Sequence, residues 1–129
     1  MKRTVSLIVS LILLLSLTGC EKYKSKYKAI GFVHSNTSAS AEMSFYSFEG
    51  TMVFKLKSKG EGDLKYTAKL ATGTAAVYYD YNGTKAELFT IGAGEETDSH
   101  GGYVESGTVY LIVETDGACE NGAFSFRVE

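Results

Sequence analysis

Proline is absent from this chain of 129 residues, and cysteine and histidine occur only twice each. Without proline, the exposed edges of any sheet must be protected by charged side chains or by bulges. Two cysteines exclude a disulfide framework and a zinc site built on several cysteines. Two histidines, His34 and His100, leave little material for acid–base chemistry or for a metal centre.

The first twenty residues have the layout of an export signal. Lys2 and Arg3 precede an apolar run of thirteen residues, Val5 to Leu17, which only serines interrupt. A membrane-spanning helix needs about 20 residues, so this run is too short to span and instead suits the helical core of a signal peptide. The segment ends in Leu17-Thr18-Gly19-Cys20.

This ending resembles the lipobox of bacterial lipoprotein precursors. The resemblance implies that Cys20 receives a diacylglycerol through its thiolate, that residues 1–19 are removed, and that the new amino group is acylated. Two or more acyl chains make a stable anchor. The resemblance therefore places the protein at the cell membrane, facing the extracytoplasmic side, with the lipid bilayer as its first partner. An ordinary secretory signal or an uncleaved anchor is the alternative, and a disulfide between Cys20 and Cys119 is conceivable only then.

Charge divides the mature chain into two parts. Residues 20–28 form a short tether with lysines at positions 22, 24, 26 and 28, which we expect to lie close to an anionic membrane surface. Residues 29–129 form one domain by length. This domain holds seven basic and fourteen acidic residues, a net charge of −7. An acidic body argues against nucleic acid as a partner.

The pattern of the domain predicts strands throughout. Apolar residues alternate with polar ones and no helical period persists. Leu64, Tyr66, Ala68 and Leu70 mark the clearest strand, and Phe124, Phe126 and Val128 mark another. Further strands are expected at 29–34, 46–56, 77–81, 84–88, 103–105 and 108–115, with turns at 58–63 and 116–122 and a loop at 92–102. Residues 46–56 are expected to point their even-numbered side chains, including Tyr46, into the core.

Asn82-Gly83 predicts a hairpin with a type I′ turn. The implied register sets Tyr79 opposite Ala86 and Val77 opposite Leu88, and it pairs the charges of Asp80 and Lys85. Seven to eight strands, with turns every 8–12 residues, predict an all-β fold. We expect an antiparallel β-sandwich of the jelly-roll kind, following the N-terminal signal helix and the short linker.

The segments Gly107–Glu114 and Gly122–Phe126 resemble the closing hairpin of jelly-roll modules such as CUB-like or carbohydrate-binding domains. The whole chain is similar to small cell-surface lipoproteins of Gram-positive bacteria. These resemblances imply a cellular location and a fold, and they imply no activity.

The domain offers little for catalysis. Glu95, Glu96, Asp98 and His100 lie in the expected acidic loop, and their oxygen atoms are suited to a divalent cation, although the spacing of a calcium-binding loop is missing. No Gly-x-Ser-x-Gly motif is present to supply a nucleophilic serine. We therefore predict no catalytic residue, no cofactor, no metal site and no enzymatic activity. Cys119 is expected to be an inert residue in a turn.

Three functions remain open. The first is a non-catalytic binding or interaction module of the cell envelope, whose partner is an envelope protein, a glycan or a peptide. The second is a carbohydrate-binding module in which exposed aromatic rings, Tyr78 and Tyr103, contact sugar. The third is a small metal-dependent module or enzyme built on residues 95–100. Tyrosines clustered on one exposed face would favour the second, and tyrosines buried in the core would count against it.

Overall fold

The computed structural model of the protein describes residues 23–129. The expected signal peptide and Cys20 lie outside that range. The described chain forms nine strands: β1 (Lys26–Ile30), β2 (Val33–Asn36), β3 (Ser40–Ser58), β4 (Gly62–Thr72), β5 (Ala75–Asp80), β6 (Ala86–Ile91), β7 (Glu95–Val104), β8 (Gly107–Thr115) and β9 (Cys119–Val128). Over these residues we find no helix with the length and apolar character needed to cross a membrane.

The strands form one antiparallel sheet that folds over on itself. Strand β3 belongs to both halves, because residues 40–48 pair with β9 and residues 51–58 pair with β8. One layer runs β3-β9-β4-β7 and the other runs β3-β8-β5-β6. From β3 to β9, each link between consecutive strands crosses from one layer to the other, except the β5–β6 hairpin, which stays within one layer. This is a jelly roll, so the predicted all-β antiparallel sandwich is confirmed.

Strands β1 and β2 add to the free edge of β3 and raise the strand count to nine, above the expected seven to eight. The expected strand at residues 29–34 is two strands, because Gly31 turns the chain with φ +62°. Strand β1 begins at Lys26, so the expected boundary between Lys28 and Ala29 falls inside a strand. At the end of β2, the Asn36 side chain donates to the C=O of Lys55 and accepts from its N–H, both at 3.0 Å, and so pairs with the edge of β3 as a strand residue would.

A single core fills the space between the layers. Phe54 of one layer lies 6.2 Å from Phe126 of the other, and Phe89 stacks 4.4 Å from Tyr66, measured between ring centroids. Strand β4 shows the expected alternation, since Leu64 and Leu70 are buried and the residues between them alternate. Strand β9 alternates from Phe124 onward as predicted, and β8 is the largely buried strand that was expected, with Leu111, Ile112 and Val113 buried in succession.

Strand β3 departs from the expected alternation. Tyr46 was predicted to face the core, but it is 56% exposed, whereas Phe45 and Phe48 are both buried. Between Phe45 and Phe48, the side chains that face the core change from odd-numbered to even-numbered positions. This change lies opposite Asn121. Asn121 is the non-glycine residue with positive φ (49°), and it interrupts the ladders on both sides of β9. The local twist there turns Tyr46 outward.

The Asn82-Gly83 hairpin forms, but with a wider turn than expected. Tyr79 lies opposite Ala86 as predicted, while a bulge shifts Val77 to lie opposite Phe89 rather than Leu88. Gly83 has positive φ (101°) and Asn82 does not, so the turn is not type I′. Two interactions replace the expected pairing of Asp80 with Lys85. Asp80 is buried and accepts the Gly83 N–H at 2.6 Å. The ammonium of Lys85 pairs with Glu114 at 2.7 Å.

The expected loop at 92–102 is wrong over most of its length, because Glu95 to Val104 form the edge strand β7 paired with β4. This strand is acidic and exposed, so it carries no apolar alternation that a sequence pattern would detect. Its charges provide the edge protection that the absence of proline demands. Cys119 was also placed wrongly, since it begins β9 rather than lying in a turn.

Candidate functional site

A hollow crosses the outer face of the layer that contains β2, the first half of β3, β9, β4 and β7. We call it the trough. It encloses about 440 Å³ and is lined by all five strands. Its floor consists of small side chains in two adjacent cross-strand rows: Ser44 with Ala123, and Ser125 with Thr67. Because these side chains are short, the surface is hollow where large residues would fill it.

Charged and apolar residues form the two sides of the trough. Val33 and Glu42 stand on the side of β2 and β3, while Lys69, Glu96 and Asp98 stand on the side of β4 and β7. Glu42 is three strands away from Asp98 along one row, a backbone separation of about 14 Å at the usual strand spacing. That width accommodates an extended chain.

The trough continues beyond its floor toward Tyr46. A second hollow of about 560 Å³ shares Ser44, Lys69, Glu96 and Ala123 with it and adds Ala71 and Asn121. Tyr46 follows Ser44 on the same outward-facing parity of β3 and sits beside Gly31, where the chain turns between β1 and β2. Ile30 (64% exposed) and Val33 (68% exposed) flank that turn. An exposed aromatic ring and two exposed aliphatic side chains therefore lie close to this turn, and Val33, which lines the first hollow, connects them to the trough.

The sequence analysis missed this site. The floor residues are small and ordinary, and they are brought together by strand pairing between distant segments. Tyr46 was assigned to the core because its even position matches Phe48 and Met52. The sole local signal for its exposure is that the bulky residues Phe45 and Phe48 are three positions apart. Side chains alternate between the two faces of a strand, so both can face the core only if the strand twists between them.

The two tyrosines proposed as ligand contacts do not share a site. Tyr78 lies on the outer face of the other layer, opposite Ile112, with the Lys85 ammonium 4.5 Å from its ring centroid. The Tyr103 ring packs edge-on against Tyr81 at 6.1 Å. Its hydroxyl donates to Glu105 at 3.1 Å. Partial burial and this hydrogen bond raise the pKa of Tyr103. Neither residue lines the trough.

The acidic residues at 95–100 are spread along β7, with Glu96 and Asp98 on one face and Glu95 on the other, and they do not converge on one point. The Glu95 carboxylate accepts the Gly92 N–H at 2.7 Å, and Asp98 lies opposite Thr67. His100 lies 3.4 Å from the Asp63 carboxylate. In β2, the His34 ring stacks on the ring of Phe32, the residue that precedes the strand. Within residues 23–129, no three histidine, cysteine or acidic side chains group together as a metal site would require.

Cys119 is fully buried and its thiol lies 3.4 Å from the carbonyl oxygen of Thr74. Burial raises the pKa of the Cys119 thiol, so the reactive thiolate is disfavoured. The predicted inertness of this residue therefore has a physical basis in its packing.

The start of the described chain is fixed to the layer opposite the trough. The Tyr23 hydroxyl donates to the buried Asp80 carboxylate at 2.6 Å, and its ring packs edge-on against Tyr110 at 5.3 Å. Ser25 accepts the Val53 N–H at 2.8 Å. Burial, and then the hydrogen bond to Asp80, raise the pKa of Tyr23 to about 12. We call the outer surface of β3 (residues 51–58), β8 and β5, together with residues 23–26, the tether face.

No protein-family model matches the chain, and no curated protein resembles it at a significant level. Among solved structures, it is similar to the carbohydrate-binding module TmCBM61, solved with β-1,4-galactotriose (14% identity, 84% of this chain and 90% of that chain, TM-score 0.48). It is also similar to the pre-peptidase C-terminal domain of a Bacillus anthracis collagenase (10% identity, 74% and 91%, TM-score 0.48). A cupin-superfamily protein from Desulfitobacterium hafniense follows (12% identity, 89% and 86%, TM-score 0.33). At these values, the jelly-roll assignment rests on the strand pairing itself.

Proposed function

We propose that this protein is a lipid-anchored, extracytoplasmic binding module without catalytic activity, and that its ligand is an extended glycan held in the trough. The lipobox of residues 17–20 supports the anchor. The hollow across five strands supports an extended ligand, and it is the observation that carries the proposal. Glu42 stands on the opposite side of the trough from Glu96 and Asp98, and its backbone lies about 14 Å from that of Asp98. This placement supports binding rather than glycoside hydrolysis, in which two carboxyl groups flank the scissile bond within about 10 Å.

The composition of the trough suits a hydroxyl-rich chain. Ser44, Ser125 and Thr67 supply hydroxyl groups that both donate and accept hydrogen bonds. Glu42 and Asp98 supply acceptors for sugar hydroxyls on opposite sides. Tyr46 offers an exposed ring face at the end, where a sugar ring could stack. The aromatic contact of the carbohydrate-binding hypothesis is thereby transferred from Tyr78 and Tyr103 to Tyr46.

A protein or peptide partner is the second candidate. The exposed aliphatic side chains of Ile30 and Val33 beside Tyr46 favour it, because exposed apolar groups on one patch are typical of protein contacts. In that case the patch supplies most of the binding and the floor of the trough supplies little. The two candidates therefore differ in which substitutions abolish binding.

The binding test is retention of the protein on insoluble polysaccharides: chitin, cellulose, β-mannan, β-galactan and purified bacterial cell wall. We expect retention on at least one of them, and Tyr46→Ala should weaken it about tenfold, the loss expected for one stacked ring together with its buried area. Tyr78→Ala on the opposite face is the matched control and should bind as the parent does. A double substitution in the floor, Ser125→Leu with Thr67→Leu, should abolish retention by filling the hollow.

Retention on none of these materials, or equal retention of the parent and the floor variant, would reject the trough as a glycan site. Retention lost on Ile30→Ser with Val33→Ser, yet kept in the floor variant, would favour the protein partner. The anchor is tested separately by the intact mass of the protein from its native membrane fraction. We expect residues 20–129 plus acyl chains, and an unacylated or uncut species would refute the lipoprotein proposal.

A further inference from the structure

The tether face gathers exposed lysines from distant parts of the chain. They are contributed by the start of the described segment, by β3 and by the β5–β6 loop: Lys24, Lys26, Lys55, Lys57 and Lys85. The sequence separates them into a basic tether and an acidic body. The fold places the body's Lys55 and Lys57 beside the tether lysines, because β1 and residues 23–25 run along β3.

The strand register fixes this arrangement. Lys26 lies opposite Thr51 on β3, and Lys55 lies opposite Tyr110 on β8, with its ammonium 6.0 Å from the ring centroid. Lys57 lies opposite Thr108 in the next outward-facing pair. In the part of the chain described, none of these three lysines forms an ion pair, and neither does Lys24. Their charges therefore face solvent uncompensated by direct contact.

The acidic groups on the same face are engaged or lie at its margin. Asp80 accepts a hydrogen bond from Tyr23, and Glu114 is paired with Lys85. Glu87 lies on the edge strand β6, opposite Tyr78. Glu49 lies opposite Lys28, the middle residue of β1. The trough face, in contrast, carries charges of both signs: Glu42, Glu96 and Asp98 together with Lys65, Lys69 and Arg127.

The anchor point lies next to this face. Tyr23 is docked on Asp80 and Tyr110, and Cys20 precedes it by three residues, so their Cα atoms are at most about 11 Å apart even in an extended chain. A lipid on Cys20 therefore holds the tether face close to the bilayer. That distance is similar to the Debye length of about 8 Å at physiological ionic strength, so lysines on this face sense the charge of the lipid headgroups.

We infer that the tether face is a docking surface for an anionic lipid bilayer, and that it orients the domain with the trough directed away from the membrane. This inference rests on the proposed lipid anchor at Cys20. It is independent of what the trough binds. The lysines attract the headgroups, while Tyr23 and Tyr110 suit the polar–apolar boundary of the membrane surface.

The test uses lysines of both faces within one molecule. The full-length lipidated protein is inserted into preformed vesicles of phosphatidylcholine alone, or of equal parts phosphatidylcholine and phosphatidylglycerol, and is treated with a water-soluble amine-acetylating reagent. Peptide mass spectrometry then gives the extent of modification at Lys55 and Lys57, with Lys65 and Lys69 on the trough face as internal controls. All four are exposed in the protein itself.

We expect modification of Lys55 and Lys57 to fall at least about threefold in the anionic vesicles and to recover in 1 M salt, where the Debye length shrinks to about 3 Å. Lys65 and Lys69 should be modified equally in all conditions. Lys55→Glu with Lys57→Glu should abolish the protection of Lys24 and Lys26, whereas Lys65→Glu with Lys69→Glu should leave it intact.

Equal modification of the four lysines in anionic vesicles would overturn the inference, and so would protection of Lys65 and Lys69 instead. The same spectra report the acyl chains on Cys20. If Cys20 carries no acyl chain, the proposed anchor is wrong. If Cys20 is acylated but Lys55 and Lys57 are not protected, only the proposed orientation is wrong.

Discussion

The two outer faces of the sandwich differ although one strand, β3, contributes to both. On the trough face, its residues Ser44 and Tyr46 point outward beside small side chains from β9 and β4. On the tether face, its residues Val53 and Lys55 point outward; the Val53 N–H donates to the Ser25 hydroxyl, and the Lys55 ammonium lies over the Tyr110 ring. One face is hollow and open, and the other is covered by the start of the domain. Under the two proposals each layer of the sandwich has a separate task, and the predictions below alter one face while leaving the other intact.

The largest effect is expected at Gly50, the position in β3 where the two layers meet. A Cβ there would lie 2.3 Å from the backbone oxygen of Lys26, and the φ of +133° is unfavourable for any other residue. Gly50→Ala should therefore lower the free energy of unfolding by about 3 kcal/mol and detach β1 from β3. Thermal melting with hydrogen exchange of β1 amides measures both.

Gly60→Ala is the matched control, since a Cβ at Gly60 meets nothing within 4 Å. It should change stability by no more than about 0.5 kcal/mol. Equal stability of the two variants would mean that β1 does not pack closely against β3, and the tether face would lose its structural basis.

The next effect concerns the tether face alone. Tyr23→Phe keeps the ring on Tyr110 and removes the hydrogen bond to the buried Asp80. We expect a loss of about 1–2 kcal/mol, because the carboxylate loses a donor, with no change in ligand binding by the trough. Chemical denaturation checks the first and polysaccharide retention checks the second. Tyr46→Phe on the trough face should leave stability unchanged, and a similar loss in that control would contradict the assignment.

Alkaline pH should reproduce the Tyr23 substitution in the parent protein. The pKa of Tyr23 is raised from 10.0 to about 12 in the folded state, so its contribution to stability is complete below about pH 10 and is lost as the pH rises to about 12. Denaturation across this window should show a steeper loss for the parent than for Tyr23→Phe. Parallel curves would mean that the Tyr23 hydroxyl is ionised equally easily in both states.

The smallest effect is expected for Lys85→Met, which removes the pair with Glu114 and the contact with the Tyr78 ring. Both partners of the ion pair are more than one-third exposed, so the loss should be no more than about 0.5–1 kcal/mol and should vanish in 1 M salt. Urea denaturation at low and high salt measures it. A salt-independent loss would indicate packing of the lysine stem rather than charge.

Local alternation explains where sequence reasoning succeeded in the fold. Leu64, Leu70, Phe124 and Phe126 are buried as predicted, because each faces inward by the two-residue period of its own strand. Prediction failed at β7, whose acidic residues pair with β4 without burying apolar side chains. It also failed at Asp80 and Lys85, where a wider turn gave each residue a different partner.

The candidate site was accessible to the sequence only in part. Residues 95–100 were recognised as an unusual acidic segment, and the fold places Glu96 and Asp98 along one side of the trough. Tyr46 was assigned to the core, since its exposure follows from the twist opposite Asn121, a residue far away in sequence. Ser44, Ala123, Ser125 and Thr67 carry no distinguishing pattern of their own.

The sequence by itself determined the all-β character and most inward-facing residues, because each depends on composition or on neighbours within one strand. Tertiary structure alone decided which strands pair. That pairing collects small residues from β3, β4 and β9 into a hollow, and it brings Lys55 and Lys57 beside the tether on the opposite face. Surfaces of this kind depend on register between distant segments, and register is fixed only when the layers close over a common core.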